Sequence, residues 1–362
     1  MEVITHMATL SVCLIMKNEE DVCERVLRSV QPFADEIIVA DTGSSDATVE
    51  IAEANGAQVF PYQWTDNFAA ARNFAFSKAS GDYILWLDAD DVVPELSAQK
   101  ISAAKAKEFD HADVLLLPYH LSFYPDGSPS FSIVRERILR RCPLAEWQGA
   151  VHEVIRPFGR LGRLDAPIEH RKLHPAEPGR NLRIYEKLIE KGAILSEREQ
   201  FYYARELSDN RRFEEAEPIF YRLLSIMPAS SPDRGQLCRN LAACRDAAKD
   251  PDGALRYLLF ALENGCPSSV TCCELGRRYL NKGLYAAAAE WYLRAMTDGS
   301  KVAETFDRLD CHNFIPCIQL CLCFDKLGKY AEAEQWNRRA ALYRPQDEAV
   351  LHNAAYFAKK CG

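Results

Sequence analysis

Apolar runs of strand length alternate with segments of helical period over the first half of the chain; helical period alone governs the second half. The runs 10–16, 36–40, 57–62 and 83–87 read as strands, the first and last continuous enough to be buried on both faces. Between them Val22, Val26, Leu27 and Val30 recur at helical spacing, and another helix starts near Ala47. Residues 68–79 read as a helix of small residues carrying Arg72 and Asn73. Gly43 suits a tight turn ahead of the second helix, with Ser45 or Asp46 as its cap. This alternation predicts a parallel sheet with right-handed crossovers. Further strands are expected at 113–121 and at 133–139, where Arg135, Glu136 and Arg137 interrupt the run.

From about residue 181 onward the pattern repeats. Phe213, Ala216, Phe220 and Pro228 recur in kind as Tyr285, Ala288, Tyr292 and Ala295, and again as Tyr330, Ala333, Trp336, Ala340 and Pro345. A weaker copy runs through Pro251, Ala254, Tyr257 and Ala261. The spacing is close to a ~34-residue tetratricopeptide (TPR) period, with an insertion around 301–313. Gly283 and Gly328 fall where such a repeat turns between its two helices. Helix pairs of this kind stack into a solenoid whose concave face binds peptides, proteins or a second subunit. A purely structural helical cap is the alternative.

Length and composition narrow the reading. A chain of 362 residues suits two domains, here 8–180 and 181–362. The net charge of −8 argues against nucleic acid as the main partner. No apolar run approaches the roughly 20 residues that span a bilayer. The start of the chain lacks the basic and apolar segments of a signal peptide, and the His6-Met7 pair resembles a cloning scar, so residues 1–7 carry no fold expectation. Thirteen cysteines show no framework spacing and sit mostly within apolar helical patterns. They read as small buried hydrophobes of a protein in a reducing cytoplasm, with no zinc site.

The chemistry gathers at strand ends. Asp88, Asp90 and Asp91 crowd the tip of the run 83–87, where a cation would offset their charge. Hard divalent cations take carboxylate oxygens and bind phosphates at the same time. The expectation is therefore a metal–diphosphate site at the carboxyl edge of an open sheet, against the alternative of a solvated acidic turn. There is no G-x-G-x-x-G after the first strand and no G-x-x-x-x-G-K-[ST] anywhere, so dinucleotide and P-loop readings lose their support. From 134 to 183 Lys and Arg outnumber the acids, which suits a diphosphate leaving group or an anionic acceptor as well as it suits a solvated face.

Four segments together resemble a known family: 11–20 (SVCLIMKNEE), 36–48 (EIIVADTGSSDAT), 68–73 (FAAARN) and 87–91 (LDADD). In this order and spacing they look like family 2 glycosyltransferases. Residues 147–153 (WQGAVHE) with the helical-repeat tail are similar to the sublancin and other bacteriocin peptide glycosyltransferases. The resemblance implies an α/β GT-A domain followed by an all-α TPR-like solenoid, a UDP-sugar donor, Mn2+ or Mg2+, and inversion at the anomeric carbon. By the same resemblance Asp41 would meet the base of the donor, Asn18, Glu19 and Ser44 would lie around the nucleoside, and Arg72 near the sugar or diphosphate. Asp88 would hold ribose or metal, Asp90 would ligate the metal, and His170 would complete its shell, though Arg171 and Lys172 depart from the aromatic-rich pattern usual there.

Inversion takes one in-line displacement and a base on the acceptor face. Glu153 is the expected base with His152 in support, the reverse assignment staying open. The function expected is transfer of glucose or a related hexose to a peptide or protein, with the repeats docking the acceptor or forming a homodimer. A saccharide or lipid-linked acceptor in envelope synthesis is the first alternative, and a TPR scaffold with an inactive transferase domain the second.

Overall fold

The computed structural model describes residues 7–107, 109–174, 177–228, 231, 233–262, 267–299 and 308–360. The chain divides into two compact units, Met1–Ile194 and Leu195–Gly362.

In the first unit β1 (Leu10–Met16), α1 (Cys23–Val30), β2 (Glu36–Asp41), α2 (Thr48–Ala54), β3 (Gln58–Pro61), α3 (Phe68–Lys78) and β4 (Tyr83–Asp88) follow the expected alternation. Next come β5 (Asp91–Val92), α4 (Glu95–Lys105), β6 (Val114–Phe123), β7 (Pro129–Arg140), β8 (Trp147–Gln148), β9 (Val154–Ile155), β10 (Leu161–Arg163), β11 (Ile168–His170) and α5 (Arg180–Glu190). The first four strands are parallel in the order β3-β2-β1-β4. Beyond them the sheet is not the all-parallel one expected. The hairpin β6–β7 inserts antiparallel to β4, and β11 and β5 close the edge, giving the order β3-β2-β1-β4-β7-β6-β11-β5. The physical reason is local: a short turn at 124–128 joins β6 to β7, and strands joined so tightly can only pair antiparallel.

One face of the sheet packs on α1 and α4 through Val26, Leu27, Val30 and Ile101; the other carries Ala69, Ala75 and Phe76 of α3. Its buried face of small residues lets α3 lie close to β1 and β2. Asn73 then clamps the main chain of Trp147, donating to its carbonyl at 3.0 Å and accepting from its N–H at 2.9 Å. The segment 147–153 is thereby fastened beside β4. The helix α5, which opens the expected helical region, lies in this first unit: Leu182, Ile184 and Tyr185 are buried, and the Tyr185 hydroxyl reaches the Val151 carbonyl.

The second unit is helical among its described residues: α6 (Glu197–Asp209), α7 (Phe213–Ile226), α8 (Arg234–Ala247), α9 (Pro251–Phe260), α10 (Ser269–Asn281), α11 (Tyr285–Met296), α12 (Phe314–Lys326), α13 (Tyr330–Ala341) and α14 (Glu348–Lys360). Each helix packs on the next, as a solenoid requires. The repeated residues mark α7, α9, α11 and α13, where Ala216, Ala254, Ala288 and Ala333 are fully buried at the close helix contacts. Gly283 and Gly328 adopt φ of +73° and +75° two residues ahead of α11 and α13, the left-handed turn that favours glycine. Of the expected insertion, 301–307 lies outside the described residues, and 309–312 forms a 3-10 turn. Cysteines 238, 244, 272, 273, 311, 317, 321 and 323 are buried, as the small-hydrophobe reading expects. Burial pushes the Cys244 and Cys323 thiols up to about 11.

Candidate active site

At the carboxyl ends of β1 and β4 lies a cavity of about 730 Å3. Its lining brings together eight of the residues anticipated from sequence: Asn18, Glu19, Arg72, Asp88, Asp90, His152, Glu153 and His170. Asp41 and Ser44 are not among its lining residues, whereas their neighbour Thr42 is. The Asp41 carboxylate accepts the N–H groups of Gly43 and Ser44 at 3.1–3.2 Å. The Ser44 hydroxyl accepts the Asn18 N–H at 3.0 Å. Asn18, at φ +53°, returns its side-chain oxygen to the Ser45 N–H at 2.8 Å. These bonds stitch the β1–α1 and β2–α2 loops into one wall. The N-cap of α2 is Ala47 and not the expected Ser45 or Asp46, because Asp46 lies one residue too early; its carboxylate accepts the Thr48 N–H at 3.0 Å.

The centre of the site is Arg72. Its Nη2 donates to Asp88 Oδ1 at 2.6 Å and its Nε to Glu153 Oε1 at 2.7 Å. The guanidinium also lies 4.9 Å from the Trp147 ring. Burial disfavours its charge, but the two carboxylates more than compensate and raise its pKa further. Asp88 is half-buried; burial works against its charge, but Arg72 and Arg137 hold it well below the usual carboxylate range. One arginine thus bridges the acidic end of β4 and the 151–153 segment, where His152 adopts φ +51° and stacks on Tyr185 at 6.4 Å.

Antiparallel pairing of β11 with β5 sets His170 opposite Asp91. His170 Nδ1 is 3.1 Å from Asp90 Oδ1, 3.2 Å from Asp91 Oδ1 and 3.0 Å from the Tyr119 hydroxyl. Burial opposes protonation here, yet the bonds and charges of Asp90 and Asp91 push the imidazole up to about 10. One ligand atom each from Asp88, Asp91 and His170 fall within 4.8 Å of one another. Asp91, however, is fully buried and committed: it accepts from the Asp88 N–H at 3.0 Å, Tyr119 at 2.7 Å and Arg137 at 3.1 Å. Asp90 lines the cavity instead. Carboxylate and imidazole donors suit Mn2+ or Mg2+. Glu19 fits the same picture, because burial and then the nearby charge of Asp90 lift its carboxyl above the ordinary range.

Sequence reasoning missed Tyr119, Arg137 and the α5 wall. Arg137 is wholly buried between the rings of Trp86 at 3.6 Å and Tyr119 at 3.9 Å, and binds the Trp86 carbonyl as well as Asp91. Its signal was present: a charge inside an otherwise apolar strand needs a buried partner. The α5 wall consists of Arg180, Asn181, Arg183, Ile184 and Lys187, at spacings that share one helical face.

A mixed sheet with carboxylates and a bridging arginine around a cavity at its carboxyl edge defines a GT-A-like domain. Residues 11–143 match the family model for glycosyl transferase family 2. A TPR repeat-containing protein of Synechococcus elongatus is 36% identical over 149 residues, 41% of this chain and 36% of the relative. The glycosyltransferase SunS of Bacillus phage SPbeta is 30% identical over 148 residues, 40% of this chain and 34% of the relative. The chain thus spans about a third of the length of these curated relatives. Among solved structures, glucosyl-3-phosphoglycerate synthase of Mycobacterium tuberculosis in complex with Mn2+ and UDP-glucose aligns with a TM-score of 0.36. That alignment has 18% identity and covers 52% of this chain and 81% of that one. No helix among the described residues is long and apolar enough to cross a membrane.

Proposed function

We propose that this chain is an inverting, metal-dependent glycosyltransferase that moves a hexose, glucose or a relative, from a UDP-sugar to a peptide or protein side chain. The observation that carries the reading is the Arg72 bridge between Asp88 and Glu153 in a cavity that also collects Glu19, Asp90 and His170. Asn18 and Glu19, with the Asp41–Ser44 turn behind them, hold the nucleoside. Asp88, Asp90 and His170 hold Mn2+ or Mg2+, which when bound neutralises charge on the departing diphosphate. Arg72 fixes the Glu153 carboxylate in orientation, so that Glu153 takes the proton of the acceptor nucleophile. His152 lies next to it and supports the acceptor. The donor and the buried thiols suit a cytoplasmic enzyme. The helical repeats supply acceptor docking or a dimer surface.

The test is calorimetric titration of UDP with and without Mn2+, repeated on Asp90→Ala. Mn2+-dependent binding that the variant loses supports the donor site. Absence of UDP binding under both conditions sinks the catalytic reading and favours a repeat scaffold. A screen of peptides, saccharides and lipid-linked sugars for UDP release then separates the acceptor classes.

A further inference from the structure

We infer that Arg180 makes the acceptor half of the cavity an oxyanion site, so that the acceptor reaching His152 and Glu153 carries a carboxylate or phosphate group. The inference rests on the donor reading above. Along the α5 wall, Lys187 Nζ meets Asp66 at 2.6 Å. Arg183 pairs with Glu177 and donates to the Pro178 carbonyl. Arg72, deeper in the cavity, is divided between Asp88 and Glu153. Arg180 has no carboxylate partner among the described residues. Its guanidinium lies 4.7 Å from the Phe68 ring, and its Nε is buried without a hydrogen-bond partner among the described residues.

A buried N–H left unpaired costs about 1–3 kcal/mol, more on a charged group, so a ligand oxygen there is strongly favoured. The aromatic face keeps the cation charged without supplying an acceptor atom. Lys17 and Lys172 also line the cavity, but both are exposed. Position argues for the acceptor over the donor. The Phe68 N–H donates to the Ala150 carbonyl at 2.8 Å, and Tyr185 of α5 reaches the Val151 carbonyl. Arg180 is therefore fastened to the segment that carries His152 and Glu153, while the diphosphate is expected beside Asp88, Asp90 and His170. A neutral acceptor would leave the Arg180 Nε as it is, unpaired.

The test uses full-length protein saturated with UDP and Mn2+, titrated with the N-acetyl amides of O-phosphoserine and of aspartate, the N-acetyl amide of serine being the neutral control. At least one anion should bind about tenfold more tightly than the serine amide, a difference near 1.4 kcal/mol. Which of the two binds names the oxyanion. Arg180→Gln should remove that preference and Arg180→Lys restore part of it, with UDP affinity unchanged in both variants and melting temperature preserved. A tenfold loss of UDP affinity in Arg180→Gln would overturn the inference by assigning the residue to the donor diphosphate. Equal binding of the anions and the serine amide would overturn it as well. Failure of the unaltered protein to bind UDP at all rejects the donor reading first, and this inference with it.

Discussion

The two ends of the parallel strands both carry carboxylates, and they treat them in opposite ways. At the amino end every acid is matched to donors. Glu36 Oε1 accepts the Ser11 hydroxyl at 2.5 Å, the Ser80 N–H at 2.5 Å and the Gly81 N–H at 3.2 Å. Asp35 binds Lys105, Asp82 binds Thr9, and Asp113 binds Arg140. At the carboxyl end Glu19, Asp88 and Asp90 crowd one another, answered by Arg72, Arg137 and His170 and, at Glu19, by His174. Burial works against the Glu36 charge but its donors prevail and lower its pKa, whereas burial and neighbouring acids raise that of Glu19. Donors within the fold make a carboxylate structural; crowding makes it receptive to a cation from outside.

The largest effect should come from the buried pair that braces the crowded end. Arg137 and Asp91 are both fully buried, so Arg137→Met strands a charge and should cost about 3–5 kcal/mol in urea unfolding. The double variant Arg137→Met/Asp91→Asn should recover a sizeable part of that loss. If the double variant is as unstable as the single one, the pair is not what holds Asp88, Tyr119 and His170 in place.

Next in size is a difference of sign. Glu36→Gln removes the charge that strengthens four hydrogen bonds from Ser11, Ser80 and Gly81 and should destabilise by about 1 kcal/mol, allowing for solvent screening. Glu19→Gln relieves repulsion and should stabilise by about 0.5 kcal/mol, while weakening UDP–Mn2+ binding. The pH profiles follow. The lowered pKa of Glu36 means its stabilisation exists above the ordinary carboxylate value and is lost as pH falls through the lowered one. The raised pKa of Glu19 means stability falls as pH rises from the ordinary value through the raised one, a slope that Glu19→Gln should abolish. Two variants shifting stability in the same direction would erase the contrast between the two ends.

Much of this arrangement was legible before the structure. The strands β1 to β4 announce themselves as apolar runs, and the acidic tip of β4 follows directly from Leu87 to Asp91. The pattern was silent where elements are too short to hold a period: β5, β8 and β9 have two residues each, and β11 has three. Two of them, β5 and β11, bring His170 to the acidic tip. Helix α4 was missed for a different reason, since its buried face is Ser97, Ala98, Ile101, Ala104 and Lys105, too small and mixed to stand out. Arg180 fell in the basic stretch 134–183, which suited an anion as well as a solvated face, because sequence does not say which face of α5 meets a cavity.

The smallest effect separates strain that serves a site from strain that does not. Asn18 and His152 hold left-handed backbone at the cavity, with φ of +53° and +51°. In the repeats Arg211 and Lys249 do the same at +62° and +59°, each two residues ahead of its helix, where the later repeats have Gly283 and Gly328. Both are exposed and belong to turns that glycine occupies without cost. Lys249→Gly should therefore stabilise the protein by about 0.5–1 kcal/mol, the relief of left-handed strain less the added freedom of the unfolded chain. His152→Gly relieves comparable strain, yet it removes a side chain that lines the cavity and should lower sugar transfer without lowering stability. Melting curves of the two variants beside a transfer assay would decide it: a stabilised Lys249→Gly with full activity and an inactive but stable His152→Gly mark the first turn as a repeat imperfection and the second as part of the site.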